Sequence, residues 1–255
     1  DGTHEIRLLS LDENGAVKVT NPYASAGIVI TSRLPYSGDI DGDNKEETIS
    51  TSTDAQGLTV LNVESSGSTA EAATGIKEVS SIRLFDLDGD GVREIYIDGK
   101  DANADTITCV AFYSPDESRP LHLALFDSQS YAHGSIKEFA DSKLILDTEM
   151  NILGTYKVKN VYALADKSFS KASDDIVFDN NTTYVTTSKS ITLSNGSLLA
   201  TGTKLRFTST DGSSVINFVT DGGFTGSIPI ASSGSGWTIS GQPDTSYFTS
   251  LPYKN

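Results

Sequence analysis

The feature that most restricts the fold of this chain is a repeated acidic loop that leads directly into a strand. Alternating aspartates are followed by a Glu and an apolar stretch at residues 39–49, DIDGDNKEETI, and again at 86–97, DLDGDGVREIYI. A shortened copy, DGTHEI, occupies residues 1–6, so that Glu5, Glu47 and Glu94 lie 42 and 47 residues apart. Four-stranded propeller blades repeat at roughly 40 to 50 residues. We therefore predict an array of β-propeller-like four-stranded repeats.

The rest of the sequence also favours strands. Apolar and polar residues alternate along most segments, as expected for half-buried strands, and hairpin turns are predicted at Asn14–Gly15 and Gln56–Gly57. Two segments predict short helices instead. In GSIKEFADSK, Ser135 and Glu138 have the spacing of a capping box, and in PDTSYFTSL, Asp244 is the predicted N-cap. The predicted class is all-β.

The two complete loops have the donor pattern of a calcium site. Calcium takes six to eight oxygen ligands at roughly 2.3 to 2.6 Å, and alternating carboxylates in a tight loop supply several of them. The position of Gly91 is held by Asn44 in the first loop, and Asn tolerates the left-handed conformation. The sequence predicts about two Ca²⁺ ions, and the alternative is a pair of acidic turns that bind no ion. The predicted ligands are the side chains of Asp39, Asp41, Asp43, Glu47, Asp86, Asp88, Asp90 and Glu94, with the main-chain carbonyls of Lys45 and Val92.

An EF-hand is excluded, because its loop needs a Glu at the twelfth position and flanking helices. Here the twelfth residues are Ser50 and Ile97, and strands follow. The pattern D-x-D-x-D-G-x-x-E before a strand instead resembles the calcium loops of FG-GAP and VCBS-type repeats, as in integrin-like propellers. The resemblance covers residues 1 to about 175 loosely and is specific at the two complete loops, while the FG-GAP tripeptides are missing. It implies a structural calcium in each loop, with the ligands just named.

A second domain is predicted after a polar stretch at 171–183, which we interpret as a linker, giving domains at 1–175 and 176–255. The order of GTKLRF, a hairpin and DGGFTGSIPI resembles a bacterial SH3-like domain, which implies a small β-barrel. Ile228 stands where that family commonly has Trp. The aromatic residues of the tail either close this barrel or form a glycan or peptide groove; they are Trp237, Tyr247, Phe248 and Tyr253.

Charge and location limit the partners. The formal net charge is −15, with 34 acidic and 19 basic residues, so nucleic acid and anionic membrane surfaces repel the chain. No apolar run is long enough to span a bilayer. Three observations bear on location. Weak calcium sites fill at the millimolar calcium concentrations outside cells, and Asp1 in place of Met suggests that the chain is processed. The single cysteine, Cys109, allows no internal disulfide. We expect a secreted or surface-anchored bacterial protein, with a lipoprotein as one form.

No catalytic motif is recognisable. The three histidines, His4, His122 and His133, lack the spacing of a metal site, and no nucleophile elbow or phosphate loop occurs. The leading expectation is a non-catalytic extracellular calcium-binding module for adhesion or for binding a cell-wall glycan, a peptide or a host surface ligand. The alternative is an extracellular carbohydrate-active or other hydrolase that uses the repeats as a scaffold. The repeats form either a propeller ring, closed or incomplete, or an open array.

Overall fold

The structure is a computed structural model that describes residues 8–11, 17–20, 27–173, 176–179, 181–234 and 236–253. Within these ranges the chain is all-β, as predicted, and its sheets are antiparallel apart from one short parallel pair, Leu125–Phe126 with Ser168–Lys171. The same ranges contain no α-helix and two short 3-10 turns, Thr31–Arg33 and Asp244–Ser246. Strands β1 (Leu8–Leu11) and β2 (Val17–Thr20) pair antiparallel, which confirms the strands of the first predicted hairpin. The Asn14–Gly15 turn, Asp1, His4 and Glu5 lie outside the described residues.

The chain divides into two compact units, each assembled from two segments. Unit 1 comprises Asp1–Leu146 and Tyr162–Ser170, and unit 2 comprises Asp147–Val161 and Lys171–Asn255. The predicted boundary at 175/176 lies close to the final entry of the chain into unit 2. Residues 147–161, which the sequence assigned to the first domain, belong to unit 2.

Unit 1 contains two successive four-stranded antiparallel meanders. Their strands, together with the short β3 that pairs with the edge strand β8, are β3 (Ile28–Val29), β4 (Tyr36–Gly38), β5 (Glu47–Thr53), β6 (Thr59–Ser65), β7 (Ser68–Ala73), β8 (Glu78–Phe85), β9 (Glu94–Lys100), β10 (Thr106–Tyr113) and β11 (Leu121–Leu123). The first meander has the order β4-β5-β6-β7 and the second β8-β9-β10-β11. The described residues therefore contain two four-stranded antiparallel meanders, while their predicted propeller-like arrangement stays a prediction. The predicted turn at Gln56–Gly57 is confirmed between β5 and β6.

Alternating apolar residues from both meanders pack into one core. Ile49, Leu61, Ile82 and Ile97 are fully buried there. Cys109 in β10 is also fully buried, and its thiol donates a hydrogen bond to the Thr74 carbonyl at 3.0 Å. The loops between these strands are therefore anchored on a buried core.

The remaining strands of unit 1 correct one prediction. They are β12 (Leu125–Phe126), β13 (Ala132–His133), β14 (Ser135–Ala140), β15 (Lys143–Asn151), β16 (Thr155–Ala165) and β17 (Ser168–Lys171), of which β15, β16 and β17 extend into unit 2. The helix predicted in GSIKEFADSK is wrong, because this segment is β14 and forms a hairpin with β15. Asp141 and Ser142 supply the tight turn at φ 50° and 55°. An isolated helix this short is only marginally stable, whereas the strand buries Ile136 and Phe139 in the core. The burial therefore decides the structure of this segment.

Unit 2 is a set of short antiparallel strands around its own core. They are β18 (Ile176–Phe178), β19 (Val185–Thr186), β20 (Ile191–Thr192), β21 (Leu198–Leu199), β22 (Lys204–Thr210), β23 (Val215–Thr220), β24 (Thr225–Pro229), β25 (Ala231–Ser233), β26 (Gly236–Ile239) and β27 (Gln242–Pro243). Part of the predicted linker is strand β18, which pairs with β16 and β22. The GTKLRF strand and its hairpin are confirmed as β22 and β23. The sheets remain open over the described residues, so the predicted closed barrel is not formed.

The C-terminal aromatic residues have different roles. Phe248 is buried in the unit 2 core, and Trp237 and Tyr247 pack against it, whereas Tyr253 remains 39% exposed. The predicted helical turn exists, but Pro243 is its N-cap and Asp244 is its first residue, with its side chain buried.

Candidate metal centre

Each acidic loop connects the first two strands of one meander. The first acidic loop, residues 39–47, joins β4 to β5, and the second acidic loop, residues 86–94, joins β8 to β9. Glu47 and Glu94 are the first residues of the strands that follow, paired with Gly38 and Phe85 respectively. The two loops therefore occupy equivalent places in equivalent sheets.

The leading aspartate organises each loop through its carboxylate. Asp86 Oδ1 accepts a hydrogen bond from the Gly89 N–H at 2.7 Å, and Oδ2 accepts one from the Gly91 N–H at 3.0 Å. In the first loop Asp39 accepts from the Gly42 and Asn44 N–H groups at 2.8 and 3.1 Å. The same pattern arises because the same residue types recur at the same spacing.

The middle aspartates repeat this behaviour over shorter distances. Asp90 Oδ1 accepts from the Val92 N–H at 2.7 Å, and Asp43 Oδ1 accepts from the Lys45 N–H at 2.8 Å. Asp88 and Asp41 each accept from the N–H two residues later, at 3.3 and 3.1 Å. A carboxylate has about four lone-pair sites, so these contacts leave acceptor capacity for a cation.

The predicted left-handed position is confirmed in both loops. Gly91 has φ 91° and Asn44 has φ 66°. Asn is one of the few residues that visit this region readily, which explains how the first loop keeps the turn without Gly.

The closing glutamates lie at the buried base of the loops. Glu47 and Glu94 are 0% and 1% exposed, and their Oε2 atoms accept hydrogen bonds from the N–H groups of Ile40 and Leu87 at 3.0 and 2.9 Å. Glu94 Oε2 also accepts from the Tyr96 hydroxyl at 3.0 Å. Both hydrogen bonds that Glu94 makes within the described part of the chain use Oε2, so Oε1 keeps its acceptor capacity.

Burial changes the acid strength of these glutamates. Burial, reinforced by the nearby charges of Asp88 and Asp86, raises the pKa of Glu94 to about 7, although the Leu87 N–H and the Tyr96 hydroxyl act in the opposite direction. Burial also raises the pKa of Glu47. A nearby cation would favour the ionised form of either side chain.

The loops differ in how many carboxylates converge. In the second acidic loop, oxygens of Asp86, Asp88, Asp90 and Glu94 all lie within 4.8 Å of one another. In the first, only Asp39, Asp41 and Asp43 form such a group. Glu47 is outside this group, and its Oε1 accepts a hydrogen bond from the Ser65 hydroxyl at 3.4 Å.

The first loop also carries a cation of its own. Lys45 Nζ lies 2.6 Å from Asp43 Oδ2, and this ion pair lowers the pKa of Asp43. Both side chains are exposed, so the pair is worth little and does not block the loop. The carbonyls of Lys45 and Val92 remain predicted ligands.

The donor set suits a hard divalent cation. All side-chain donors in both groups are carboxylate oxygens, which calcium and magnesium prefer, and a flexible loop suits the larger calcium ion better than the rigid octahedron of magnesium. Because four carboxylates converge in the second loop and three in the first, the second loop fits calcium better.

The two loops contact each other within unit 1. The Arg93 N–H donates to the Ile40 carbonyl at 2.7 Å, and the Arg93 guanidinium donates to the Asp39 carbonyl at 3.0 Å. A side chain added at Gly42 would lie 3.3 Å from the Gly91 carbonyl oxygen. Sequence reasoning missed Arg93, whose only signal was a basic residue inside an acidic loop.

A cleft of about 630 Å³ in unit 1 lies beside both loops. Its lining includes Asp41, Asp43 and Val92 from the loops, together with Tyr113 and Asp116. A ligand in this cleft would therefore contact residues of both acidic loops.

The other titratable groups of interest serve packing. His122 stacks on Phe112 with ring centroids 5.7 Å apart and lies 3.9 Å from Glu117. Asp98, also missed from sequence, is 4% exposed and accepts hydrogen bonds from the Thr108 hydroxyl and the Ile136 N–H.

Comparison of the chain with protein-family models, with curated proteins and with solved structures finds no match. In the described residues, no helix has the length and apolar character required to cross a membrane.

Proposed function

We propose that this protein is an extracellular, non-catalytic module whose repeats are stabilised by calcium bound in the two acidic loops. The observation that carries the proposal is the second loop, where four carboxylates converge within 4.8 Å around the buried Glu94. Carboxylates held this close repel each other when ionised. A calcium ion removes that repulsion and uses the acceptor sites left open by the loop hydrogen bonds.

The ion would act on structure. Each loop begins after one strand and ends at a buried Glu that starts the next, so a bound cation would tie the loop to the core of its repeat. Arg93 would pass this restraint to the neighbouring loop through its bonds to Ile40 and Asp39.

The repeat type and location belong to the same proposal. The two equivalent meanders support an array of FG-GAP or VCBS-like repeats, as suggested by their loops. Sites with three or four side-chain ligands on exposed loops suit the millimolar calcium outside cells. We infer a secreted or surface-anchored protein that uses this scaffold to bind a surface ligand.

Calcium titration of the chelated protein tests the metal sites. We expect two ions by isothermal titration calorimetry, with tighter binding in the second loop, and a rise in melting temperature that follows mass action. The paired variant Asp86→Asn with Asp90→Asn should remove the tighter site, and Asp39→Asn with Asp43→Asn should remove the weaker one. The control is Asp221→Asn, an exposed turn residue of unit 2. If calcium neither binds nor shifts the melting temperature, the proposal fails.

A further inference from the structure

Unit 2 contains a cavity of about 310 Å³, all of whose lining residues belong to this unit. It is lined by residues from separate segments of the chain, among them Asn151, Trp237, Asp244 and Tyr253. This volume is at the small end of the range for small-molecule pockets, roughly 300 to 1,000 Å³. The cavity therefore suits a compact ligand.

Two aromatic side chains of the lining are held by their polar ends. The Trp237 Nε1–H donates to the Asn151 carbonyl at 2.8 Å, and the Tyr253 hydroxyl bonds to Asp244 Oδ2. The chain around Tyr253 is fixed as well, since the Thr155 N–H donates to the Pro252 carbonyl at 3.0 Å. Because the polar ends are occupied, the rings contribute mainly carbon surface to the cavity.

The same cavity contains a buried carboxylate. Asp244 is 5% exposed, and its Oδ1 accepts from the Thr245 N–H at 2.7 Å. Its partners in the described part of the chain are this N–H and the Tyr253 hydroxyl, both neutral. Among the described residues, no Lys or Arg lines the cavity or forms an ion pair with Asp244. Within the described part of the chain, this buried carboxylate beside two rings therefore has neutral partners only.

We propose that this cavity binds a small organic cation, an alkylated ammonium group. The electron-rich faces of Trp and Tyr attract such cations, and Trp is the strongest of the aromatic residues in this respect. The Asp244 carboxylate supplies the compensating charge, which a neutral sugar stacked on the rings would leave unpaired. A bare metal ion is disfavoured because one carboxylate is far from the six to eight oxygens that calcium takes.

Trp237 makes the test direct, since it is the only tryptophan in the chain. Its emission is measured while the full chain is titrated with choline chloride, at ionic strength held constant with sodium chloride. The neutral isostere 3,3-dimethylbutan-1-ol and methyl glucoside are titrated in parallel. We expect a saturable change with choline and at least tenfold weaker binding of both neutral compounds.

Two variants and two matched controls assign the effect to the cavity. Asp244→Asn keeps the shape and one of the two acceptor oxygens but removes the charge. Tyr253→Leu removes a ring, and each variant should weaken choline binding about tenfold. The controls are Asp221→Asn, an exposed aspartate, and Tyr184→Leu, a tyrosine of similar exposure, 41%, outside the cavity lining. Both should bind choline as the wild type does.

Other outcomes overturn the proposal. Equal binding of choline and its neutral isostere would show that charge is irrelevant, and tighter binding of methyl glucoside would make the cavity a sugar site. The proposal is also refuted if choline causes no saturable change in Trp237 emission while the near-ultraviolet circular dichroism shows that the chain is folded. Calcium binding in unit 1 is measured separately, so the two proposals fail independently.

Discussion

Replacing Glu94 by Gln should raise the stability of the metal-free protein and reduce the stabilisation that calcium provides. Without metal, the ionised Glu94 carboxylate lies buried beside Asp86 and Asp88, and the folded state is penalised for its charge. Gln removes this charge while retaining polar groups for the Leu87 N–H and the Tyr96 hydroxyl. With calcium, the carboxylate becomes a ligand, and the wild type should gain more than the variant.

The magnitude follows from the pKa. A rise from the ordinary 4.5 to about 7 corresponds to about 3 kcal/mol of differential stability between the protonated and ionised forms. Because the folded-state pKa is raised, the metal-free wild type loses stability as the pH rises from about 4.5 to about 7. We expect metal-free Glu94→Gln to exceed the wild type by up to about 3 kcal/mol at pH 8 and by less than about 1 kcal/mol at pH 5.

Urea denaturation in a chelator at pH 5 and pH 8, repeated at pH 8 with millimolar calcium, measures these differences. Glu64→Gln, at an exposed position of β6, is the control and should follow the wild type throughout. If metal-free Glu94→Gln is less stable than the wild type at pH 8, the burial argument is wrong. If calcium stabilises both proteins equally, Glu94 is not a ligand.

Three further predictions concern other parts of the fold. Arg93→Met should reduce the factor by which calcium in one loop changes the affinity of the other loop, a factor that is typically about 5- to 150-fold for linked sites. Two-site calorimetry measures this factor, and Arg33→Met is the charge-matched control. Gly99→Ala should lower the free energy of unfolding in urea by about 1–3 kcal/mol or more, because the new Cβ would lie 2.4 Å from the Glu78 carbonyl oxygen. The control is Gly222→Ala, whose Cβ would lie 3.9 Å from its nearest neighbour, and it should be nearly neutral in the same assay. Asp211→Asn should lower the free energy of unfolding by about 1–2 kcal/mol at pH 7. Although burial raises the pKa of Asp211, the Ser214 hydroxyl and three backbone N–H groups hold it well below its ordinary value. The stability difference should be present above pH 4 and shrink as the pH falls further, and an unchanged difference at pH 2.5 would contradict this prediction.

Local pattern was sufficient for much of the fold. The loops, the hairpins at Gln56–Gly57 and in GTKLRF, and the left-handed Asn44 follow from neighbouring residues, because turn chemistry and alternation act over short distances. The helix predicted in GSIKEFADSK, which is wrong, shows the limit of this reasoning. Its capping spacing was real, but the packing of Ile136 and Phe139 against distant strands decided the structure.

Contacts between residues far apart in the sequence could not be predicted. Arg93 bonds to Asp39 across 54 positions, and Trp237 bonds to Asn151 across 86. Ser65, whose hydroxyl donates to Glu47 Oε1, belongs to β6 and carries no sequence signal of that contact. Contacts of the acidic loops with residues outside them therefore could not be predicted from the loop sequences.

The reactivity of the single thiol, Cys109, reports how often the second meander of unit 1 opens. Burial, with the nearby charge of Asp98, raises the pKa of Cys109 to about 12, and alkylating reagents attack the thiolate. Modification at neutral pH therefore requires β10 to separate from its neighbours. The alkylation rate of the unmodified chain, with and without calcium, reports how often that separation occurs.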